Sequence, residues 1–403
     1  MVRMVVWASI AACSPNSAKE VTPVAPETLR VATFNIEDVR TGELLDSESE
    51  RLRAAAALIQ RLRPDVLVLN EVPYDQPGDP DWQPNLQAGD NAQRFCDSFL
   101  ARSQGDGLEP LEMIAFMAPV NTGVSSGFDL DNDGAIQTEV PPLPPVGVDP
   151  RTPEGSAYAG DSWGFGTYPG HYGMAILVAR DLKIASSEVR TFQQFLWSRM
   201  PGALAPVDPA SGEAWYSPQE WASMRLASKS FWDVPVITPS GRRIRILVSH
   251  PTPPAFDGPE QRNRSRNHDE IRFWADYLDD APYIVDDNGV AGGLQPDELF
   301  VIAGDLNSDP DEGQSLGNPI DRFLLQHPRI QGDFVPSAPP QEQSGDDDLD
   351  PDDTSSWGMR VDYVLPSLGF EIIGGAVWRP RNGVKVSDHY LVYLDLEIPS
   401  EIL

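Results

Sequence analysis

The amino-acid sequence predicts an α/β protein, because short apolar strands alternate with amphipathic helices and polar side chains follow several of the strands. Residues 29–35 (LRVATFN) alternate in polarity and are rich in β-branched side chains, which is typical of a strand. Residues 48–63 repeat apolar residues at helical spacing until Pro64 ends the pattern, and the apolar run 66–69 is the next strand. This unit brings two polar strand ends together, which is how many α/β proteins build a site.

The later elements are predicted in the same way. Asn267, with Glu270 three residues later, has the pattern of a capping box and predicts that a helix begins there. Segments near 121–170, 192–232 and 338–356 lack sustained periodicity and are interpreted as insertions. The aromatic residues of the second insertion favour packing of an irregular lobe over a platform for sugars or bases. We also predict a helix over 87–102 and strands over 111–117, 173–179, 243–250, 300–303, 360–365 and 390–396.

The charge of the chain limits its partners. The 403 residues include 61 acidic and 30 basic side chains, which gives a formal net charge of −31 and a pI near 4.3. Such a surface repels nucleic acids and anionic membranes at long range, so a polyanionic substrate would need a local positive patch or a metal. We therefore do not expect nucleic acid as a tight partner, and the sequence does not indicate an oligomeric state.

The first 28 residues resemble an export leader followed by a tether. Arg3 precedes a short apolar run over residues 4–12, and small residues lead to Cys13, as in a bacterial lipobox. The alternative is a truncated start or a chance apolar segment. With export, the protein would be periplasmic, an outer-membrane lipoprotein or extracellular, and a lipid anchor would be its membrane contact. The other cysteine, Cys96, is predicted to be an unpaired core thiol, since two cysteines make no disulfide framework.

One stretch late in the chain suggests chemistry. The buried strand over 300–303 is followed by Gly304, Asp305, Leu306 and Asn307. Residues at i and i+2 of a strand point to the same face, so the carboxylate and the amide could hold a water and a phosphoryl oxygen side by side. The alternative is an Asx-rich turn that ends the strand.

Polar residues at other strand ends support the first interpretation. Taken singly, an Asp or Asn after a strand is usually a turn former, and a single His is usually structural. Together the residues include carboxylates suited to a hard cation, two histidines and two amides. These candidate site residues are Asn35, Glu71, His250, Asp305, Asn307, Asp362, Asp388 and His389. Because they extend from 35 to 389, we predict one catalytic domain over 29–399 with the insertions named above.

Six short segments carry a resemblance to a known family. In order, they are ATFNIE (32–37), LNEV (69–72), VSH (248–250), GDLN (304–307), RVDYVL (360–365) and SDH (387–389). Their sequence and order resemble the endonuclease/exonuclease/phosphatase superfamily, in particular metal-dependent phosphoesterases of a bacterial secreted type. The resemblance implies a four-layer α/β sandwich, with two packed mixed β-sheets flanked by helices.

The resemblance also implies roles for the site residues. Glu71 and Asp388, with Asn35 beside them, would hold Mg²⁺ or Mn²⁺. Asp305 would orient and deprotonate the attacking water, and Asn307 would fix that water or a phosphoryl oxygen. The other three implied roles lie around the phosphoryl group: His389 on the group, Asp362 orienting that ring, and His250 near its oxygens.

Two further features lie outside this set. Asp129, Asp131 and Asp133, with Gly134 next, follow the spacing of a Ca²⁺-binding loop and predict a structural Ca²⁺. Glu139 falls one place early for an EF-hand and helices are not expected to flank the loop, so an Asx-rich turn is the alternative.

The second feature is a basic cluster over residues 262–266, placed before the helix predicted at Asn267. Arg262 and Arg266, with Arg264 between them, are predicted to bind a substrate phosphate near the helix start. The alternative is ion pairing with nearby acidic side chains.

The sequence thus favours a metal-dependent hydrolase of phosphoric esters, acting through a metal-activated water on small extracellular phosphoesters. A secreted nuclease of the same superfamily is the alternative within the enzyme class. A calcium-binding surface protein without catalytic activity is a further alternative, although intact site residues argue against it.

Overall fold

The computed structural model describes residues 27–339, 349–379 and 384–398, and two β-sheets form its core. The first sheet has six strands in the order β11-β12-β1-β2-β4-β3. The second also has six, in the order β10-β9-β8-β7-β5 with β6 paired to β7. The strands are β1 (Glu27–Asn35), β2 (Val66–Asn70), β3 (Met113–Phe116), β4 (Met174–Ala179), β5 (Lys183–Ile184), β6 (Arg190–Thr191), β7 (Phe231–Ile237), β8 (Arg243–Ser249), β9 (Leu299–Asp305), β10 (Asp362–Pro366), β11 (Glu371–Trp378) and β12 (Leu391–Ile398).

Both sheets are mixed, and they pack face to face. β1 and β2 are parallel in the first sheet, while β12 pairs with β1 antiparallel. In the second sheet β8 and β9 are parallel, and β7 and β10 flank them antiparallel. One apolar cluster combines Val31 and Val68 of the first sheet with Val234 and Val301 of the second. Burial of this shared face is the main force that holds the sheets together.

Helices cover the outer face of each sheet. Leu52 and Ile59 of α2 pack with Phe34 of β1, and Trp274 of α6 packs with Ile302 of β9. The layers therefore run helix, sheet, sheet, helix, which confirms the predicted four-layer sandwich. The helices are α1 (Thr41–Leu45), α2 (Glu50–Leu62), α3 (Asn91–Phe95), α4 (Pro153–Gly160), α5 (Pro218–Ser223) and α6 (Arg262–Leu278).

Several elements differ from the sequence prediction. Strands β7 and β11 were not predicted, because Pro235 interrupts the first pattern and Gly374 and Gly375 interrupt the second. The helix predicted over 87–102 is shorter, since α3 begins at Asn91 and continues as a π-helical turn over Cys96–Leu100.

The predicted start of α6 is wrong. The helix begins at Arg262, so Asn267 and Glu270 lie inside it on a buried face. Asn267 Nδ2 donates to Thr252 O at 2.9 Å, and the Glu270 carboxylate accepts from the backbone N–H groups of Ser228 and Thr252, each at 2.6 Å. The pair therefore anchors two loops to the helix instead of capping it.

The insertion over 192–232 packs as predicted. Phe192, Trp197 and Trp232 are buried, and the first two belong to the apolar cluster that also contains Trp274 of α6. Cys96 is a free, buried thiol, as predicted. Within the insertion predicted near 338–356, Asp353 is buried, and its carboxylate accepts from Asp350 N at 2.7 Å.

The leader predicted over residues 1–28 lies almost entirely outside the described residues, as does Cys13. β1 begins at Glu27, two residues before the expected start of the first strand. Among the residues that the structure describes, none of the helices is long and apolar enough to cross a membrane.

Candidate active site

The carboxyl ends of the central strands of both sheets meet at one edge of the sandwich. Asn35 of β1 pairs with Asn70 of β2 in the first sheet, and Asp362 of β10 pairs with Asp305 of β9 in the second. Asp305 N donates to Asn70 Oδ1 at 3.0 Å, which joins the two sheets by a buried hydrogen bond. The sandwich thus assembles polar side chains that are far apart in sequence.

The GDLN segment (304–307) ends β9 in an Asx turn, which was the alternative interpretation of this stretch. β9 ends at Asp305, and Asn307 has a φ of +52°, so strand alternation does not carry Asn307 to its place. Asn307 N donates to Asp305 Oδ1 at 2.9 Å in an Asx turn, and Asn307 Nδ2 donates to Pro251 O at 3.1 Å. Gly304 is required here, since its φ is +146° and a Cβ atom would lie 2.3 Å from Ser249 O.

Asp305 is the centre of the site. It is 1% exposed, and its Oδ2 lies 3.0 Å from Asn35 Nδ2, 3.3 Å from His250 Nε2 and 3.7 Å from His389 Nε2. Burial alone would raise the pKa of Asp305, but His389, His250 and Asn35 together hold it well below its ordinary value. The contacts that fix Asp305 suit it to orienting a water, and removal of the proton of that water by Asp305 stays a prediction.

His389 is the positive partner of Asp305. Its Nδ1 lies 2.8 Å from Asp362 Oδ2, and its ring packs edge-on against Trp357 with centroids 4.9 Å apart. Burial opposes the imidazolium, but the carboxylates of Asp362 and Asp305 outweigh it and raise the pKa of His389 to about 10. Ser387 holds the loop in place, because its Oγ donates to Asn35 O at 2.7 Å and accepts from His389 N at 3.0 Å. His389 therefore carries a proton at neutral pH. One ligand atom each of His389, Asp305 and Asp362 lies within 4.8 Å of the others, and the imidazolium is the cation of this cluster.

His250 has the opposite character. It is 4% exposed, its Nε2 contacts Asp305, and its Nδ1 has no hydrogen-bond partner among the described residues. Burial lowers the pKa of His250, and the nearby ammonium of Lys229 lowers it further. The site thus combines a charged imidazole, His389, and a neutral imidazole, His250, on either side of the Asp305 carboxylate. The charged ring suits an anionic phosphoryl oxygen, and the neutral ring suits an oxygen with less charge.

A group of three carboxylates lies next to these residues, at Glu37, Glu71 and Asp388. Burial raises the pKa of Glu37, and the charges of Asp388 and Glu71 raise it further. Burial also raises the pKa of Asp388, with Glu71 again contributing. Mutual repulsion in a half-buried site is relieved by a cation, and oxygen ligands of this kind suit Mg²⁺ or Mn²⁺. A divalent metal at Glu71 and Asp388 stays a prediction, and Glu37 is a further carboxylate whose charge acts on the same group.

Asn35 orients this group. Its Nδ2 donates to Glu71 Oε1 and to Asp305 Oδ2, both at 3.0 Å, and its Oδ1 accepts from Glu37 N at 3.0 Å. The structure thus places Asn35 between the carboxylate group and Asp305, where it can fix both. A direct metal-ligand role for Asn35 stays a prediction.

The turns that carry the carboxylates have an unusual backbone. Glu37, Asp38 and Glu71 all have positive φ angles, of +52°, +42° and +67°. Asp38 N donates to Glu71 Oε2 at 2.7 Å, and Asp38 Oδ1 lies 2.6 Å from Nε2 of the fully buried His171. Because Thr167 N donates to His171 Nδ1 at 3.1 Å, the proton of the neutral ring is on Nε2 and points to Asp38. This chain of hydrogen bonds stabilises a conformation that non-glycine residues rarely adopt, as is common at functional sites.

The structure corrects the substrate-binding prediction for Arg266. The side chain is buried, and its guanidinium donates to the carbonyls of Leu226 at 2.8 Å and Trp163 at 2.6 Å, with longer bonds to Arg225 and Ala227. These bonds from Nε and Nη2 hold Arg266 against the insertion, so the residue stabilises the insertion against α6.

Arg262 also contacts protein groups. It donates to Leu130 O at 2.8 Å and lies 3.6 Å from Glu260, while Arg264 lies 3.9 Å from Asp257. These contacts match the ion-pairing alternative more closely than a phosphate site.

The loop predicted to bind Ca²⁺ does gather its carboxylates. Ligand oxygens of Asp129, Asp131 and Asp133 lie within 4.8 Å of one another. The loop also has the turn pattern of the alternative, because Asp129 accepts from Asp133 N at 3.1 Å and from Gly134 N at 3.0 Å. Asp161, which the sequence analysis did not single out, accepts from Leu130 N at 2.9 Å and closes the loop from outside. A Ca²⁺ ion at this loop stays a prediction.

Several site residues were missed from the sequence. Glu37 lies within the ATFNIE segment (32–37) and its acidic side chain was the available signal. His171 gave none, because its partner Asp38 is 133 positions away and only the fold brings them together. Lys229 precedes β7, the strand that was not predicted.

The two packed mixed sheets, with the candidate site at their common edge, define an α/β sandwich. A model of the Endonuclease/Exonuclease/phosphatase family matches residues 32–389, and the chain belongs to that family. Members of this family hydrolyse phosphoester bonds with the help of a divalent metal. None of the curated proteins compared with the chain matches it.

Solved structures of low sequence identity resemble the chain. An endonuclease/exonuclease/phosphatase from Beutenbergia cavernae DSM 12333 has 17% identity and a TM-score of 0.46, with 92% of this chain and 72% of that chain covered. A family protein from Leptotrichia buccalis C-1013-b has 12% identity and a TM-score of 0.45, with 92% and 100% covered. The human Nocturnin catalytic domain with a bound sulfate anion has 14% identity and a TM-score of 0.45, with 93% and 94% covered.

Proposed function

We propose that this protein is a divalent-metal-dependent hydrolase of small phosphoric esters, with Asp305 as the centre of its site. The observation that carries the proposal is the ionised Asp305 between the protonated His389 and the neutral His250, beside the carboxylates of Glu37, Glu71 and Asp388. Bound at these carboxylates, Mg²⁺ or Mn²⁺ would supply positive charge to the phosphoryl group and its leaving oxygen.

The side chains of this chain then have distinct tasks. Asp305 orients the attacking water, since its carboxylate stays ionised and is fixed by Asn35 and Asn307. His389 presents an N–H and a positive charge to a phosphoryl oxygen, in an orientation set by Asp362. Preorganised donors of this kind stabilise the charge that develops in the transition state.

The charge distribution favours small substrates. The net charge of −31 repels polynucleotides, and the arginines that were candidate phosphate ligands contact protein groups instead. Lys385 Nζ lies 3.9 Å from Glu37 Oε2 and its side chain is 69% exposed, so it adds one cation at the rim of the site. One such cation suits a mono- or diester better than a nucleic-acid backbone.

We further propose that the protein is exported, with the leader over 1–28 and its Cys13 as the support. The substrates would then be phosphoesters outside the cytoplasm. Retention of the N-terminal residues in a mature protein recovered from its source cells would contradict this part of the proposal.

A substrate panel tests the proposed activity. The protein is treated with EDTA, and hydrolysis of a bis-aryl phosphate, an aryl phosphate, phytate and plasmid DNA is measured before and after Mg²⁺, Mn²⁺ or Ca²⁺ is added. We expect no turnover without metal and turnover of a small ester once Mg²⁺ or Mn²⁺ returns. Cleavage of plasmid DNA alone would favour the nuclease alternative, and no turnover under any condition would favour the calcium-binding alternative.

A further inference from the structure

Lys229 is a buried lysine that the proposed reaction has not yet used. The chain has four lysines, and Lys229 is 5% exposed. It lies two residues before β7, whose Phe231 pairs with Ser249 at the end of β8. Ser228 Oγ donates to His250 O at 3.3 Å, which fixes the segment against the histidine strand. The backbone therefore delivers Lys229 to the same edge as His250 and Asp305.

The ammonium of Lys229 has no dedicated partner. It forms no ion pair and no side-chain hydrogen bond with any residue that the structure describes. The carboxylates whose charges act on the ammonium are those of Glu270, Glu71 and Asp305. Glu270 already accepts two backbone hydrogen bonds, and Asp305 is occupied by Asn35 and the histidines. A buried charge without a partner destabilises a protein, so the Lys229 ammonium would be stabilised by binding an anion.

We propose that the Lys229 ammonium binds a charged phosphoryl oxygen of the substrate, beside His250. The proposal rests on the proposed phosphoesterase function and assigns the oxygen-binding side of that site. Lys229, His250 and His389 would then donate to the phosphoryl group from three elements: the segment before β7, the end of β8 and the loop before β12. The ligand class that this arrangement recognises is a tetrahedral oxyanion with at least one full negative charge.

The charge of Lys229 also contributes to the state of His250. Burial is the main cause of the lowered pKa of His250, and the nearby ammonium, which disfavours a second cation, lowers that pKa further. A neutral imidazole can donate one N–H without adding charge, while Lys229 supplies the charge. The division of tasks explains why two basic groups lie side by side in the interior of an acidic protein.

The alternative is a lysine that only stabilises the fold, and the two roles predict opposite effects of a neutral substitution. If the ammonium has no partner until an anion binds, Lys229→Met removes an unpaired buried charge and leaves the Tm of the Mg²⁺-loaded protein unchanged or higher. If the ammonium is a structural contact, the same variant has a lower Tm and a kcat close to that of the wild type.

The experiment compares the wild type with Lys229→Met and with Lys183→Met, a matched change of an exposed lysine on β5. We expect Lys229→Met to lower kcat for a small ester by about 100-fold or more and to abolish the Tm increase that inorganic phosphate gives the Mg²⁺-loaded wild type. Lys183→Met should match the wild type in both. A Lys229→Met protein with kcat within about threefold of the wild type and an intact phosphate shift would overturn the proposal.

A second measurement covers a variant that fails to fold. The Mg²⁺-loaded wild type is treated with acetic anhydride with and without inorganic phosphate, and acetylation at each lysine is read by mass spectrometry. Phosphate should protect Lys229 and leave Lys183 unaffected, whereas equal acetylation of Lys229 in both samples would contradict the proposal. Phosphate binding is measured here without turnover. A wild type that binds phosphate at Lys229 but hydrolyses no ester would therefore contradict the proposed function and not the phosphate-binding role of Lys229.

Discussion

At the scale of single residues, the proposed function assigns the chemistry to Asp305 and His389. We expect Asp305→Asn and His389→Ala each to lower kcat by at least about 100-fold. Asp305→Asn removes the negative charge that orients the water, and His389→Ala removes the positive charge that faces the phosphoryl oxygen. Steady-state kinetics with a small phosphodiester measures kcat, and circular dichroism shows whether each variant is folded. Near-normal kcat in a folded variant would show that the residue has a different role.

The raised pKa of His389 makes a prediction about stability in the metal-free protein. Its folded-state pKa of about 10 lies above the ordinary value of 6.5, so the imidazolium contributes stability that is complete below about pH 6.5 and is lost as the pH rises through 10. In EDTA, the Tm of the wild type should therefore fall more steeply between pH 7 and about 10 than the Tm of His389→Gln. Parallel Tm profiles would mean that His389 is not charged in the folded protein.

At the scale of elements, the strands that carry the site were predictable and their helical partners less so. β2 and β9 contain continuous apolar runs, and β1 and β8 combine apolar β-branched residues with polar ones in a strand pattern, so the polar ends of all four strands could be located from the sequence. The start of α6 could not be located from the sequence, because Asn267 and Glu270 have the pattern of a cap but are buried and hold two loops against the helix. A pattern of residue types does not reveal which partner accepts a hydrogen bond.

The same limit applies to the arginines of α6. Arg266 was predicted at a phosphate, yet its guanidinium donates to carbonyls of the insertion. We expect Arg266→Met to lower the free energy of unfolding by about 1.5–3 kcal/mol or more, since several buried carbonyls lose a charged donor. KM for a small ester should stay unchanged, and Arg199→Met, at an exposed position, serves as the control. A raised KM with unchanged stability would restore the original substrate-binding role.

The loop of Asp129, Asp131 and Asp133 makes a separable prediction. Ca²⁺ should raise the Tm of the wild type, because an ion that binds only the folded state stabilises it by mass action. The double variant Asp131→Ala, Asp133→Ala should lose that increase and keep its Mg²⁺-dependent turnover at low temperature. An unchanged Ca²⁺ effect in the double variant would leave the loop as an ordinary turn.

At the scale of the whole molecule, the fold joins residues that the sequence scatters. The eight candidate site residues span positions 35 to 389, and the packing of two sheets places them at one edge. Their chemistry was visible in short segments, but the contact between Asp38 and His171 and the burial of Lys229 depend on the insertion and on β7, which the sequence did not define. Long-range contacts of this kind follow from packing, not from local pattern.

The charge of the whole molecule gives the most direct test of the central claim, that this site hydrolyses small phosphoesters. We expect kcat/KM of the Mg²⁺-loaded protein for a small aryl phosphodiester to exceed that for duplex DNA per phosphate at low salt. For the small ester, kcat/KM should change little as salt rises, because a small ester meets little long-range repulsion from the acidic surface. Efficient cleavage of duplex DNA at low salt that weakens steeply as salt rises would contradict the account.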